Sequence, residues 1–507
     1  MLAASLLVTA VLLVPGQGAA ARPDETRLAA QSRRGKELMA AGRYAEAVPV
    51  YRELVRARPG NAGLLLNLGM ALHLSGKDEE AVPLFQAVLR IQPDSLPAIL
   101  LLGAANVGLE RYQAAVAPLQ RALRAQPDNV EARSLLAQAL LGLRRPADAA
   151  PHLRRLTQLV PADPAAWFNL GQTYEELAAQ LFAEILERDP ESPFVLALVA
   201  EVRAKEDNRE AAFHLYRQAA GRAPALRGAH AALARIYRAT GHPDWAAVEE
   251  EKERRLGKPD CARQALECAF AAQRYDEVVT AAAAARTPEA EYWRIRAYGE
   301  LAEAAFDKLT ALPPSVHSHE WAAEVQRSGR HYAESAEQWR KAIALAPGDP
   351  GLLTELATTL RLLRDFPGAQ RAAEQALTAD PASPRANYLL GDVLLAQDQP
   401  QRAIPFLEKS VRGEPNEPVA HGALGRAYAL AGRPAEAATH LEQALPADVD
   451  GSLHLQLARA YQAAGQRERA QAAMKDYEEL RKDAEAGDAD AGGPAITPPE
   501  GFAPPPR

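Results

Sequence analysis

Residues 28–61, LAAQSRRGKELMAAGRYAEAVPVYRELVRARPGN, and residues 62–95, AGLLLNLGMALHLSGKDEEAVPLFQAVLRIQPDS, align without a gap. Gly35 falls on Gly69, Ala47 on Ala81, Tyr51 on Phe85 and Pro59 on Pro93. Each proline closes the second of two helix-forming stretches. It lacks the N–H that a helix requires and disfavours helix at the residue before it, so it stops one helix and forces a turn. Pro127 and Pro161 continue the series at a spacing of 34, and Pro313, Pro347, Pro381 and Pro415 repeat it further along. A fixed period of this kind predicts stacked helix-turn-helix units. Small residues keep the same register: Gly103, Gly171, Gly391 and Gly425 in the first helix of a unit, Ala115, Ala403 and Ala437 in the second. Facing small side chains let paired helices approach at the short end of the roughly 8–10 Å range. A turn glycine (Gly42, Gly76, Gly432, Gly465) and large apolar residues such as Leu119, Trp339 and Leu407 complete the pattern.

Composition agrees. The 507 residues are 48% hydrophobic and 24% charged, a globular balance in a chain long enough for several domains or one long array. Alanine makes up roughly a fifth of the chain and aromatics only 6%, which suits closely packed helices rather than sheets. The 58 Lys and Arg are interspersed with 65 Asp and Glu, so no basic stripe points to nucleic acid and no polybasic patch to a membrane surface.

This pattern resembles the tetratricopeptide repeat family, and the segment AWFNLGQTY at residues 166–174 carries that family's first-helix spacing in Trp167, Leu170, Gly171 and Tyr174. The resemblance covers roughly residues 28 to 484. It implies an all-α, right-handed superhelical solenoid of about a dozen antiparallel helix pairs whose first helices line a concave face.

Two contracted units interrupt the period. Between Pro161 and Pro190 five residues are missing where the inter-helix turn belongs, and YEELAAQLF at 174–182 parallels YGELAEAAF at 298–306. Without an internal turn residue each can continue as one long helix, which would break the stacking of neighbouring repeats. The expected organisation is a signal at 1–21, a short lead at 22–27, an N-terminal array at 28–190, irregular central helices at 191–313, a C-terminal array at 314–484 and a disordered Gly/Pro-rich tail at 485–507. All five tryptophans (Trp167, Trp245, Trp293, Trp321, Trp339) lie in or beside the centre, as junction packing would place them.

Residues Leu2 to Val14 form an unbroken apolar run that ends at Pro15-Gly16 and leads to Ala19-Ala20-Ala21. This reads as a secretory signal cleaved near Arg22, placing the mature chain in the periplasm or outside the cell in a bacterium. Thirteen residues are short for a span of about 20, although the absence of Lys or Arg after Met1 leaves an uncleaved anchor open. Export makes a bridge between Cys261 and Cys268 feasible. On one helix seven residues rise about 10 Å, too far for a disulfide, so a bridge requires Cys261 to lie ahead of the helix, which Pro259-Asp260 permits.

No catalytic motif stands out. His317, His319 and His331 form the one histidine cluster, without a cysteine partner or His-Glu-x-x-His spacing, and fit exposed residues at a repeat start. Neither a Gly-x-Ser-x-Gly elbow nor a phosphate-binding loop occurs, so no enzyme, cofactor or metal site is expected.

The resemblance places ligand-facing residues at the second, fifth, ninth and twelfth positions of each repeat. In the N-terminal array these are Lys36, Met39, Leu66, Met70, His73, Leu100, Val107, Gln138, Leu141 and Phe168, a largely apolar trough suited to an apolar or helical peptide. In the C-terminal array they are Glu320, Glu324, Arg327, Thr354, Thr358, Arg361, Arg385, Tyr388, Asp392, Arg426 and Arg459, a polar face whose arginines can fork onto carboxylates. The family's chaperone-binding clamp is not matched: Asn67 suits it, but Ser32, Pro97 and Leu101 stand where Lys or Arg is needed. The expected function is a non-catalytic scaffold that binds peptide segments of envelope or secreted proteins. The alternative is an accessory subunit for polysaccharide export or modification, for which aromatic platforms are few.

Overall fold

The structure, a computed structural model, describes residues 23–491 and 496–500. The expected signal lies outside these residues. Two compact units divide the chain after Val160. The described residues contain 26 α-helices and no strand.

The first unit holds α1 (Pro23–Ala40), α2 (Tyr44–Ala57), α3 (Ala62–Leu74), α4 (Asp78–Ile91), α5 (Leu96–Gly108), α6 (Tyr112–Ala125), α7 (Val130–Gly142) and α8 (Pro146–Leu159). Each packs on the next, as four helix pairs. The lead expected at 22–27 is shorter than that, because residues from Pro23 onward already belong to α1. Between the helices of a pair the second helix inserts a large side chain against the first helix's glycine. A Cβ on Gly35 would lie 2.9 Å from Tyr51, on Gly69 2.6 Å from Phe85, and on Gly103 2.5 Å from Leu119. Phe85 and Leu119 are fully buried, each stabilising by roughly 1.5–3 kcal/mol. Asn61 and Asn129 cap α3 and α7 by accepting from the Leu64 and Ala132 N–H at 3.0 and 2.8 Å, about 1 kcal/mol apiece. The turn inside each pair needs one left-handed residue. Gly42 and Gly76 supply it with φ of 71° and 74°, while Glu110 and Arg144 adopt it in the same register at 56° and 54°.

The second unit begins with α9 (Pro164–Arg188), α10 (Pro193–Lys205), α11 (Arg209–Arg222), α12 (Ala229–Ala239), α13 (Pro243–Arg255), α14 (Ala265–Ala271), α15 (Tyr275–Ala282) and α16 (Pro288–Thr310). It continues through α17 (Val316–Ser328), α18 (Tyr332–Leu345), α19 (Pro350–Leu362), α20 (Phe366–Ala379), α21 (Pro384–Ala396), α22 (Pro400–Gly413), α23 (Pro418–Leu430), α24 (Pro434–Ala444), α25 (Ser452–Ala463) and α26 (Arg467–Ala491). From α17 on, the glycine-and-plug contact recurs: Gly391 faces Leu407 and Gly425 faces Leu441.

The two contracted stretches are α9 and α16, each one continuous helix, and they pack along each other. Gly171 faces Phe306, Tyr174 meets Tyr298 with ring centroids 5.8 Å apart, and Arg188 forks onto Glu291. Numbers rise along one helix as they fall along the other, so the pair is antiparallel. A Cβ on Gly171 would come within 2.6 Å of Phe306, the same approach as Gly69 to Phe85. Buried Ala302 stands four residues before Phe306, as Ala81 does before Phe85. The first half of α9 and the second half of α16 therefore form one repeat. Residues 175–298 are inserted between its two helices, and the long helices supply each other with the partner missing from their own stretch.

Within the insert α10–α15 form three further helix pairs on a core that includes Phe213, Tyr237 and Trp293. Cys261 and Cys268 are bridged, with Cα atoms 5.6 Å apart. Cys261 sits in the turn ahead of α14, so the helical rise does not separate the two sulfurs. Of the tail expected to be disordered at 485–507, residues 485–491 and 496–500 are described. Helix α26 runs on to Ala491, with Gly487 inside it. Residues 496–500 then lie against α11 and α12.

Candidate functional site

The first helices of the C-terminal repeats, α17, α19, α21 and α23, carry the polar residues selected by register, and two carboxylates tie them together. Glu355 on α19 receives Arg327 from α17 and Arg385 from α21, each at 2.5 Å. Asp392 on α21 receives Arg361 from α19 at 3.2 Å and Arg426 from α23 at 3.0 Å. Four arginines thus bridge successive first helices through two acids, and the carboxylates hold the guanidinium planes in place. Arg385 and Arg426 remain exposed, as is Arg459, whereas Asp392 is buried. The Nε–H of Arg361 is shielded from solvent and has no acceptor among the described residues. A cavity of about 440 Å³ opens here, lined by Arg361, Arg364, Phe366, Asp392, Leu395 and Arg426. Three cations against one carboxylate give it a positive potential suited to an acidic group.

The remaining polar positions are mostly satisfied within their own helices. The Thr354 and Thr358 hydroxyls donate to the carbonyls of Pro350 and Thr354 at 2.6 and 2.9 Å. Half-buried Tyr388 has its hydroxyl pKa pushed up by burial and by Asp392. Glu320 pairs with His317 at 2.6 Å. Burial pushes the carboxyl of Glu324 up, and Gln172 of α9 donates to it at 3.4 Å. Phe168 is not part of an open trough: it is buried and stacks on His317, centroids 5.1 Å apart. His317 and His319 are accordingly half-buried rather than exposed, with His319 bonded to Gln338 at 2.9 Å. Trp321 stacks on Phe306 at 3.5 Å, sealing the α9–α16 pair.

In the first unit Met39, Leu66, Met70, Leu100 and Leu141 are half-buried, Lys36 and Gln138 are exposed, and Val107 is buried. His73 bonds to Asp78 of the following helix. The apolar face therefore has accessible side chains on all four first helices.

Two cavities that register did not select lie on or beside the insert. One of about 740 Å³ is lined by residues of α9, α10 and α16, including Phe182, Glu300 and Asp307. The other, about 460 Å³, is lined by Tyr216, Arg235 and Tyr292. Glu201, Lys205 and Arg296 line both. Arg296 is held over the rings of Phe270 and Tyr292, at 5.0 and 5.5 Å. Its position follows from the long α16, which no repeat register predicts. Among the described residues no three His, Cys, Asp or Glu side chains gather as a metal site, and no helix is long and apolar enough to cross a membrane.

Comparison with known structures finds MamA proteins. A MamA fragment from Desulfovibrio magneticus RS-1 is 21% identical, covering 33% of this chain and 96% of its own, with a TM-score of 0.31. "MamA MSR-1 C2" is 26% identical over 30% of this chain and 87% of its own, with a TM-score of 0.29. No curated protein sequence matches. Sequence profiles described as tetratricopeptide repeat match residues 32–95, 100–164, 134–193, 354–418, 394–453 and 451–475. Together these stretches span more than half of the chain and leave out 194–353, where most of the insert and the second half of the divided repeat lie. The chain belongs to the tetratricopeptide repeat family.

Proposed function

We propose that this protein is a non-catalytic scaffold of the cell envelope or secreted fraction that holds partner proteins by peptide segments laid on its first-helix faces. Repeats of this kind build extended binding surfaces out of many small units. The observation that carries the reading is the cavity at Arg361, Arg426 and Asp392. Two arginines fixed by one buried acid make a pre-organised receptor for a carboxylate. The C-terminal array accordingly takes an acidic segment, and the half-buried Met and Leu side chains of the first unit take an apolar or helical one. An extracytoplasmic location is supported by the apolar leader at Leu2 to Val14 and by the Cys261–Cys268 bridge, which an oxidising compartment maintains.

The test is affinity capture from the host's envelope extract with the chain from Arg22 onward, at low and moderate salt. Reversing the charge of Arg385 and Arg426 together should release the partners held by the C-terminal array and remove their salt dependence. Retention of the same proteins with unchanged salt dependence would discard the acidic-segment reading.

A further inference from the structure

Residues 496–500, Ile-Thr-Pro-Pro-Glu, lie along a cleft between α11, α12 and α13, in contacts that alternate down the segment. Ile496 packs against the core of the insert, Pro499 is buried, and Pro498 and Glu500 face outward. The main chain is read as well as the side chains. The Tyr237 hydroxyl donates to the Thr497 carbonyl at 2.8 Å, and Arg217 donates to the Thr497 hydroxyl. Arg217 is itself placed over the Phe213 ring at 5.5 Å, and Tyr237 is wedged edge-on between Phe213 and Trp245. With the segment in place Tyr237 is only 1% exposed, and its hydroxyl takes the Thr497 carbonyl as acceptor. A buried proline leaves no unsatisfied N–H, and Pro-Pro is extended before it binds, so little ordering entropy is lost. Beyond Pro499 the cleft continues as a cavity of about 420 Å³ lined by Glu500, Glu249, Lys252 and Arg255, with Lys252 paired to Glu249 at 2.7 Å and Arg255 to Glu251 at 3.0 Å.

We propose that this cleft is a peptide-binding site for an extended Ile-Thr-Pro-Pro segment, and that residues 496–500 of this chain are its resident ligand. The site is separate from the first-helix faces assigned above. A buried tyrosine donor, a positioned arginine and a proline slot are the parts of a site that recognises a proline-containing extended peptide. Helix α26 ends at Ala491, with only four residues between it and Ile496. Such a tether gives an effective concentration on the order of millimolar, so a free peptide of the same sequence competes poorly until the resident segment is displaced.

The test uses a fluorescein-labelled peptide of residues 493–503, GPAITPPEGFA, followed by anisotropy against the full chain and against the chain ended at Ala491. The shortened chain should bind the peptide at least tenfold more tightly than the full chain. Full-length Pro499→Asp, which frees the cleft without shortening the chain, should bind it equally well. Tyr237→Phe in the shortened chain should weaken binding about fivefold, the worth of one hydrogen bond, and a peptide with Pro499→Asp should not bind. Absence of saturable binding to both the shortened chain and the Pro499→Asp chain would overturn the proposal. Equal affinity for full and shortened chains, or no effect of Tyr237→Phe, would do the same.

Discussion

If α9 and α16 complete one repeat, then Gly171 and Phe306, 135 positions apart in sequence, must be energetically coupled. Phe306 is 3% exposed, enclosed by Gly171 on one side and the stacked Trp321 on the other. Phe306→Ala should cost about 3–5 kcal/mol, the usual loss for emptying a well-packed phenylalanine site. Gly171→Ala gains about 1 kcal/mol of helix propensity. Against this, the new methyl group sits 2.6 Å from the Phe306 ring, and overpacking of that kind costs roughly 1–3 kcal/mol. Alone, the change should therefore be neutral to destabilising by about 2 kcal/mol. In the Phe306→Ala background the obstruction is gone and the same change should stabilise by about 1 kcal/mol. The coupling of about 1–3 kcal/mol can be measured by urea unfolding, followed by far-UV circular dichroism and by tryptophan emission. The same cycle at Gly69 and Phe85 provides the undivided reference. If Gly171→Ala has the same effect in both backgrounds to within about 0.5 kcal/mol, the usual limit of additivity, the divided repeat is wrong.

Glu110, Arg144, Arg330, Arg364 and Asp398 hold left-handed turn conformations that Gly42, Gly76 and Gly432 adopt freely. Arg364→Gly and Glu110→Gly should each stabilise by up to about 1 kcal/mol, the strain relieved less the entropy a glycine adds, and a lower melting temperature for both would refute this. His421 and His440 meet Nδ1 to Nδ1 at 3.0 Å, and burial followed by His421 lowers the pKa of His440. The unfolded chain then binds a proton that the fold resists. Stability should be complete above the ordinary imidazole value near 6.5 and fall as pH drops below it. His440→Gln should flatten the stability-pH profile between about pH 5 and 7, and an unchanged slope would exclude this pair as its source. Thiol titration of the unreduced, denatured chain should find neither Cys261 nor Cys268 reactive, and two reactive thiols would refute the bridge.

Much of the architecture was legible because several repeats write their core contact twice over, as a glycine in the first helix and a plug sixteen residues later. Gly35 with Tyr51, Gly69 with Phe85 and Gly391 with Leu407 can be read from spacing alone. The same rule applied to Gly171 lands on Glu187, which cannot fill the site, and this was the available sign that the partner lies elsewhere. Periodicity could show that two stretches lacked turns. It could not show that they pair, because a contact over that distance leaves no local pattern. The C-terminal face was partly legible for a similar reason. Register selected Arg361, Arg385, Asp392 and Arg426, but it passed over Glu355, which sits between the selected positions and anchors two of the four arginines. Ile496 to Glu500 read as tether from composition, since what orders this segment is a cleft built by residues more than 200 positions earlier.

The division of one repeat also bears on the order in which the chain folds. As the chain emerges from its amino end, α9 appears with Phe168, Leu170, Gly171, Tyr174 and Leu177 turned toward a partner that does not yet exist. At roughly 5–20 residues per second, the synthesis rate for nascent chains, Phe306 follows several seconds later. In the undivided repeats each helix waits only for its neighbour. Contact order, low in the undivided repeats, rises sharply at this joint, and closure there is the slow step expected of a distant pairing. The insert can form its own core during the wait, carrying the two ends of the joint toward each other. Until they meet, the exposed stripe on α9 is the natural point of attack for a chaperone or a protease.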